Sequence, residues 1–526
     1  MSEGTLISQP ETIFVAAENG LLPGAKVGGV ADVIRDLPAA VATQGARATI
    51  LTPSYGTLHR LPGARPLEIV ATVFRGRRFR ARVFEVPVEP DNVRCLVIDH
   101  RVLAPTDPGV VYHGDDANRP YATDANKFAF FCAAVASWII TRPQEPAVVH
   151  LHDWHCGVLA VLRRFDARYL RLARIPTVFT IHNLAYQGQR PLRDDPSSLH
   201  AWFPALRYEA SSVTDPEFTH VFNPMAAAIR LCDRVNTVSP TYAREICRPS
   251  DPATGFIGGE GLEADLRRRE QDGTLMGILN GCNYPATPAV ASPWKDLRRL
   301  IGDTLDGWQQ RERDPAFRKM HANARKRLDG LGEDRPPHLL TSVGRIVDQK
   351  MRLMFTRTPA GVPALAALLE RLPDDALLIL LGSGEPRFEA ELARIAAKQP
   401  KLLFLRGYSE AVGEALYASG DLFLMPSSFE PCGISQMLSM RAGQPCVVHA
   451  VGGLRDTVRH GETGFVFDGQ DPSRQAGAFV DCAADAVALR DNDPSAYARI
   501  RDGARASRFP WDASARHYLR KMYELG

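Results

Sequence analysis

Short, wholly apolar runs recur along this chain, separated by stretches whose apolar residues fall at helical spacing. In the first half the runs Thr12 to Ala16, Ala48 to Leu51, Val83 to Val88, Cys95 to Ile98, Val148 to Leu151, Thr177 to Ile181 and Val235 to Val238 predict buried strands. The spacing predicts helices from Ala31 onward, over Lys127 to Ile140, and over Gly157 to Phe165. A second such series begins at His338, with strands Leu339 to Val343, Ala376 to Leu381, Leu402 to Leu405, Leu422 to Met425, Cys446 to His449 and Phe465 to Phe467. Strands alternating with helices predict an α/β fold, each sheet parallel and covered on both faces. Between the series lie a proline- and alanine-rich piece, Pro285 to Pro293, and a charged helical stretch, Trp294 to Asp329. A last helix, Ala513 to Leu525, follows Phe509-Pro510-Trp511, where a proline can mark a crossover to the first domain.

Composition narrows this picture without changing it. With 526 residues, 45% hydrophobic and 23% charged, the chain suits two large globular domains. A net charge of +3 argues against nucleic acid as a partner, while leaving room for a local basic pocket. Nine cysteines without CxxC spacing read as reduced, buried residues of a cytoplasmic protein. The opening MSEGTLISQPETIF lacks a basic-then-apolar leader. The longest apolar run, Phe128 to Ile140, falls short of the roughly 20 residues that span a bilayer, so no membrane association is expected.

Several strand ends carry candidate chemistry. Asp421 to Gln436, DLFLMPSSFEPCGISQ, places Glu430 in a loop between a buried strand and a helix start, where open α/β sheets hold ligands. Alone, such a glutamate is more often a solvated loop acid or a helix-start acid. Lys26-Val27-Gly28-Gly29 joins a cation, a flexible loop and a helix start, which suits a diphosphate or serves packing only. It is not a Walker loop. A second Gly-Gly pair, Gly452-Gly453, echoes it. Gly382-Ser383-Gly384-Glu385 lacks the third glycine of a dinucleotide fingerprint, because Arg387 stands there. His152-Asp153-Trp154-His155 fits no zinc spacing and reads as a pocket wall or a hydrogen-bonded strand end. His182 to Gly188, HNLAYQG, is loop-like and polar, as a sugar site requires, although a lone histidine here is more often structural. Arg345 and Lys350, beside Asp348 and Gln349, can bring two cations to one phosphate from one loop, or remain solvated.

Taken together, these stretches resemble the glycogen and starch synthase family, the bacterial-type glucosyltransferases of GT-B fold. KVGGVADVI, HLHDWHCG, TIHNLAYQG, NTVSPTYAREI, GILNG, Arg345 with Gln349-Lys350, FLRGY, PSSFEPCGISQ and GGLRDTV run in family order across nearly the whole chain. The resemblance implies two Rossmann-like, doubly wound domains facing across a cleft. These would be residues 1–284, residues 285–508 including linker helices, and a helix at 509–526 packing back on the first domain. It implies transfer of glucose from ADP-glucose to the non-reducing end of an α-1,4-glucan, with retention and without a metal or other cofactor. A related transferase using UDP-glucose or another acceptor, or a silent nucleotide-sugar or glucan binder, is the alternative; oligomeric state is not legible.

Carried onto this sequence, the family implies that Lys26 and the Gly29 amide meet donor phosphate, with Gly28 beside them in the donor-binding loop. Arg345 and Lys350 neutralise the departing diphosphate, and Glu430 accepts from glucose hydroxyls. Amides at Cys432, Gly433 and Ile434 hold sugar or phosphate, with Ser435 nearby. His182 and Asp153 line the glucosyl site, Asn280 contacts sugar, and Tyr408 lies beside the base. The chain departs from the family where Met351 replaces a glycine, at Cys282-Asn283-Tyr284-Pro285, and at Leu438, where related transferases carry a second glutamate.

Overall fold

The computed structural model describes residues 9–285 and 291–525, so part of the proline- and alanine-rich segment lies outside the described residues. Two compact units divide the chain. One comprises Met1–Ser250, Gly258–Gly281 and Pro510–Gly526; the other comprises Asp251–Ile257 and Cys282–Phe509.

The first unit is built on a nine-stranded sheet. Its spatial order is Leu275–Gly277, Arg234–Thr237, Thr177–Ile181, Val148–His152, Glu11–Val15, Arg47–Pro53, Val93–Asp99, Arg77–Val86 and Arg65–Phe74. Seven strands are parallel, but the last two form an antiparallel hairpin on the edge. The expectation of a purely parallel sheet is corrected there. Arg65–Phe74 is exposed from Arg65 to Ile69 and then alternates between buried and more exposed positions, the pattern of an edge strand with one wet face.

The segment around Phe128 is the 20-residue helix Ala122–Thr141, almost wholly buried. No helix among the described residues is long and apolar enough to cross a membrane.

The C-terminal helix, Trp511–His517, continues into a wider turn over Tyr518–Met522. Trp511, Tyr518, Leu519 and Met522 share a core with Phe14, Ile34, Leu37 and Ile50. Gly281 is required there, because a Cβ would lie 2.5 Å from the Trp511 ring.

The second unit has a six-stranded parallel sheet in the order Leu402–Arg406, Leu377–Gly382, Leu339–Val343, Leu422–Met425, Cys446–His449 and Gly464–Phe467. Numbered along the chain, this is 3-2-1-4-5-6, the doubly wound order whose reversal opens a crevice between strands 1 and 4. The charged stretch after Trp294 is two helices, Trp294–Arg311 and Pro315–Asp329, because Asp314 caps a new start with Pro315 in its first turn. Met351 lies inside the helix Asp348–Phe355 and is buried in the unit's core. The departure from glycine therefore supplies packing at a helical position.

Candidate active site

In the second unit, the loops after strands 1 and 4 meet at the switch point. Lys350 sits in the first turn of Asp348–Phe355, and its ammonium pairs directly with Glu430. Ser427 also donates to Glu430, at 3.0 Å. Both contacts fall on Oε2, and Oε1 makes no hydrogen bond among the described residues. Gln349 fixes the loop carrying Glu430: its amide donates to the Phe429 carbonyl at 3.0 Å, and its own carbonyl accepts from the Ser428 amide at 2.9 Å. Lys350 and Met351 line a small cavity with Gly344, Ile346, Pro426 and Ser427. Arg345 is exposed at the same strand end, without a hydrogen bond or ion pair among the described residues.

The Gly452-Gly453 pair acts here through packing. Gly453 donates its amide to the Glu430 carbonyl at 3.0 Å, and a Cβ on Gly452, whose φ is +43°, would lie 1.9 Å from that oxygen. Cys432, Gly433 and Ile434 lead into the helix Ser435–Ala442, whose first turn has no side-chain cap. Gln436 reaches back to the carbonyls of Cys432 and Gly433, each at 3.1 Å, which leaves the helix start open. Leu438 is partly buried against apolar neighbours. Tyr408 is 68% exposed after the strand Leu402–Arg406. Its loop is braced by Glu389, which accepts from Arg406 and from the Gly384 amide, each at 2.7 Å. The amide of the Gly-Ser-Gly segment is thus used internally.

In the first unit the switch point lies between Glu11–Val15 and Val148–His152. Asp153 follows the latter with φ 58° and ψ 178°, a conformation that ordinary side chains rarely hold and that clusters at functional sites. Its Oδ1 accepts from the His182 amide at 2.7 Å. Burial pushes its carboxyl up to about 7, against the pull of the His182 and Asn183 amides. His182 is buried and its pKa is pushed down to about 3 by desolvation.

Behind these residues runs a closed polar chain. Thr180 donates to Asn236 at 2.6 Å, so it accepts from His150 Nε2, also at 2.6 Å. His150 Nδ1 then accepts from the Tyr523 hydroxyl at 2.7 Å, and Asn236 donates to Tyr518 at 2.7 Å. His155 stacks on Tyr112, with ring centroids 5.2 Å apart. Among the described residues, no group of three His, Cys, Asp or Glu is arranged to hold a metal ion.

The glycine-rich loop holds a carboxylate that motif reading missed. Glu18, itself buried, accepts from the amides of Val27 at 2.9 Å and Gly28 at 2.5 Å, and from the Tyr112 hydroxyl at 2.9 Å. Lys26 is paired with Asp32 at 2.7 Å. Gly29 is different, because nothing lies within 4 Å of where its Cβ would be. Asn280 is buried, and its Oδ1 has no partner among the described residues. An acid placed just past the first strand and before the glycines was the available signal for Glu18. Ser427 and Tyr112 carried none, since both are ordinary loop residues until the fold brings them in.

Comparisons with known proteins bear on the family and the fold. The starch synthase catalytic domain model matches residues 11–268, and the glycosyl transferases group 1 model matches residues 338–485. The glycogen synthase of Anaeromyxobacter sp. (strain Fw109-5) is 35% identical over 97% of this chain and 98% of its own. That of Gloeobacter violaceus is 32% identical over 97% of each. Among solved structures, the catalytic domain of starch synthase IV from Arabidopsis thaliana, bound to ADP and acarbose, superposes with a TM-score of 0.76 at 24% identity, covering 98% of this chain and 99% of that one. The sucrose-phosphate synthase of Thermosynechococcus elongatus shares the fold more loosely, with a TM-score of 0.55. With its GT-B fold and full-length likeness to glycogen synthases, the chain belongs to the glycogen and starch synthase family of glycosyltransferases.

Proposed function

We propose that this protein elongates an α-1,4-glucan by moving glucose from ADP-glucose to the non-reducing end, with retention of configuration. The observation that carries the reading is the Lys350–Glu430 pair at the switch point of the second unit, with Arg345 unpaired at the same strand end. In this reading Lys350 turns to the diphosphate when donor binds, and Glu430, whose Oε1 is already unengaged, takes the glucose hydroxyls. Arg345 and Lys350 stabilise the charge that develops as the diphosphate leaves. The uncapped start of Ser435–Ala442 adds a third source of positive potential. Tyr408 is assigned to the base, and the amides at Cys432, Gly433 and Ile434, with Ser435, to sugar or phosphate. In the first unit Asp153, His182 and Asn280 are assigned to sugar, and Lys26 and Gly29 to phosphate; Gly28, whose amide Glu18 already takes, is left to shape the loop. The ADP named for the Arabidopsis structure supports the choice of nucleotide.

We also propose that no resident metal takes part: Arg345 and Lys350, at one strand end, would supply the positive charge that a metal otherwise brings. The nine cysteines, none of them in a disulfide among the described residues, support a reducing cytoplasmic setting.

The test supplies glycogen with ADP-glucose or UDP-glucose and follows nucleotide release and glucan growth. ADP-glucose is expected to serve, with and without a chelator. Transfer from UDP-glucose alone would overturn the donor assignment, transfer from neither would overturn the activity, and a chelator block reversed by magnesium would overturn the metal-free step.

A further inference from the structure

His152 and His182, at the ends of neighbouring strands, face each other through one nitrogen each. His152 Nδ1 and His182 Nε2 are 2.9 Å apart. Both rings are enclosed, and burial disfavours the imidazolium form of each. Two neutral rings in this contact share one proton between the facing nitrogens, so two arrangements exist. In the first, His182 donates through Nε2, and His152 must carry its own proton on Nε2. That nitrogen is fully buried and has no partner among the described residues. The ring of Phe14 lies nearly parallel to that of His152, at 24° with centroids 6.1 Å apart, so it offers no π face to an in-plane N–H. His150 cannot serve as acceptor, because Tyr523 and Thr180 engage both of its nitrogens. In the second arrangement, His152 donates through Nδ1 and only a bare nitrogen is left in the core. Orphaned buried N–H groups are the rarer of the two defects.

We infer that His152 is a positioning residue that fixes the tautomer of His182, so that His182 presents its Nδ1–H as a donor to a hydroxyl oxygen of the sugar. The sugar part rests on the functional reading above; the tautomer does not. Because neither ring takes up a proton near neutrality, the donor is a permanent one, and it recognises a lone pair, not a hydroxyl hydrogen.

The test is a long-range nitrogen–proton correlation spectrum of the full chain, labelled with 15N-histidine and assigned with His182→Asn. His182 is expected to show a proton-bearing Nδ1 and a bare Nε2. His152→Leu is expected to shift the proton of His182 toward Nε2 and to lower kcat/KM about tenfold, the loss of one aligned hydrogen bond. His152→Asn, whose side-chain amide can donate from nearly the same place, is expected to restore both. A proton-bearing Nε2 in the parent protein overturns the inference even if His152→Leu fails to fold. A proton-bearing Nδ1 that persists in His152→Leu overturns the role given to His152. The expected spectra together with no transfer from either nucleotide sugar would overturn the sugar contact and the functional reading while the tautomer stands.

Discussion

Replacing Glu430 by glutamine is expected to tighten binding of ADP while slowing glucosyl transfer. Lys350 is held by Glu430, with their side chains 17% and 8% exposed. A diphosphate that recruits Lys350 must separate the two. Without a sugar to satisfy it, Glu430 is then left as a nearly buried carboxylate with Ser427 as its remaining partner. Exposed pairs contribute up to about 1 kcal/mol, whereas stranding one member of a fully buried pair costs about 3–5 kcal/mol. This pair lies between those limits, at about 1–2 kcal/mol, which corresponds to roughly a five- to thirty-fold change in an equilibrium constant. Glu430→Gln removes that cost and the repulsion between carboxylate and diphosphate, so the ADP dissociation constant should fall by that factor in calorimetric titration. Turnover with ADP-glucose should drop by about two orders of magnitude, because the neutral amide accepts more weakly in the transition state. Unchanged or weaker ADP binding, in a variant with the parent's melting temperature, would refute the idea that the two ligand parts are shared out between these side chains.

Further outcomes follow from the same geometry. Arg345→Ala and Lys350→Ala should each slow turnover by roughly two orders of magnitude, and unchanged rates in a glucan-growth assay would place those cations elsewhere. Gly29→Ala should leave the melting temperature nearly unmoved, since a Cβ there meets open space, yet slow transfer if phosphate approaches the loop. Gly452→Ala should lower stability by about 2 kcal/mol or more, because the methyl group collides with the Glu430 carbonyl; an unshifted thermal melt would contradict the packing described. Asp153 binds a proton more tightly when folded than when unfolded, so its contribution to stability falls as pH rises from about 4 to about 7, by at most about 1.4 kcal/mol per unit. Asp153→Asn should therefore gain on the parent protein across that window. A constant difference between their melts from pH 4 to pH 8 would show that the carboxyl is not perturbed.

Much of this was legible in the chain because buried parallel strands write themselves as apolar runs. Leu422 to Met425 and Leu339 to Val343 announce both the sheet and the strand ends from which Glu430, Arg345 and Lys350 emerge. The hairpin strand Arg65–Phe74 was illegible for the opposite reason: with one face in water, it mixes arginine, glutamate and aliphatic residues. The break between Trp294–Arg311 and Pro315–Asp329 was written in Asp314-Pro315, but charge-rich flanks hid it. Within the site, residue types signalled the cations and Glu430, whereas the partners did not. That Glu18 turns back to fill the amides of Val27 and Gly28 depends on how one loop folds on itself, and that Gln349 moors Phe429 depends on loops 80 residues apart in sequence; both are settled only by packing.

The first unit is stitched from distant parts of the chain. Tyr518 and Tyr523 anchor Asn236 and His150 on two of its sheet strands, and Trp511 packs against Gly281. A ribosome making this protein therefore delivers every residue of the second unit before those three aromatics emerge. The half that begins synthesis is the half that must wait, holding its histidine-lined interior unsealed while its successor has everything it needs to fold.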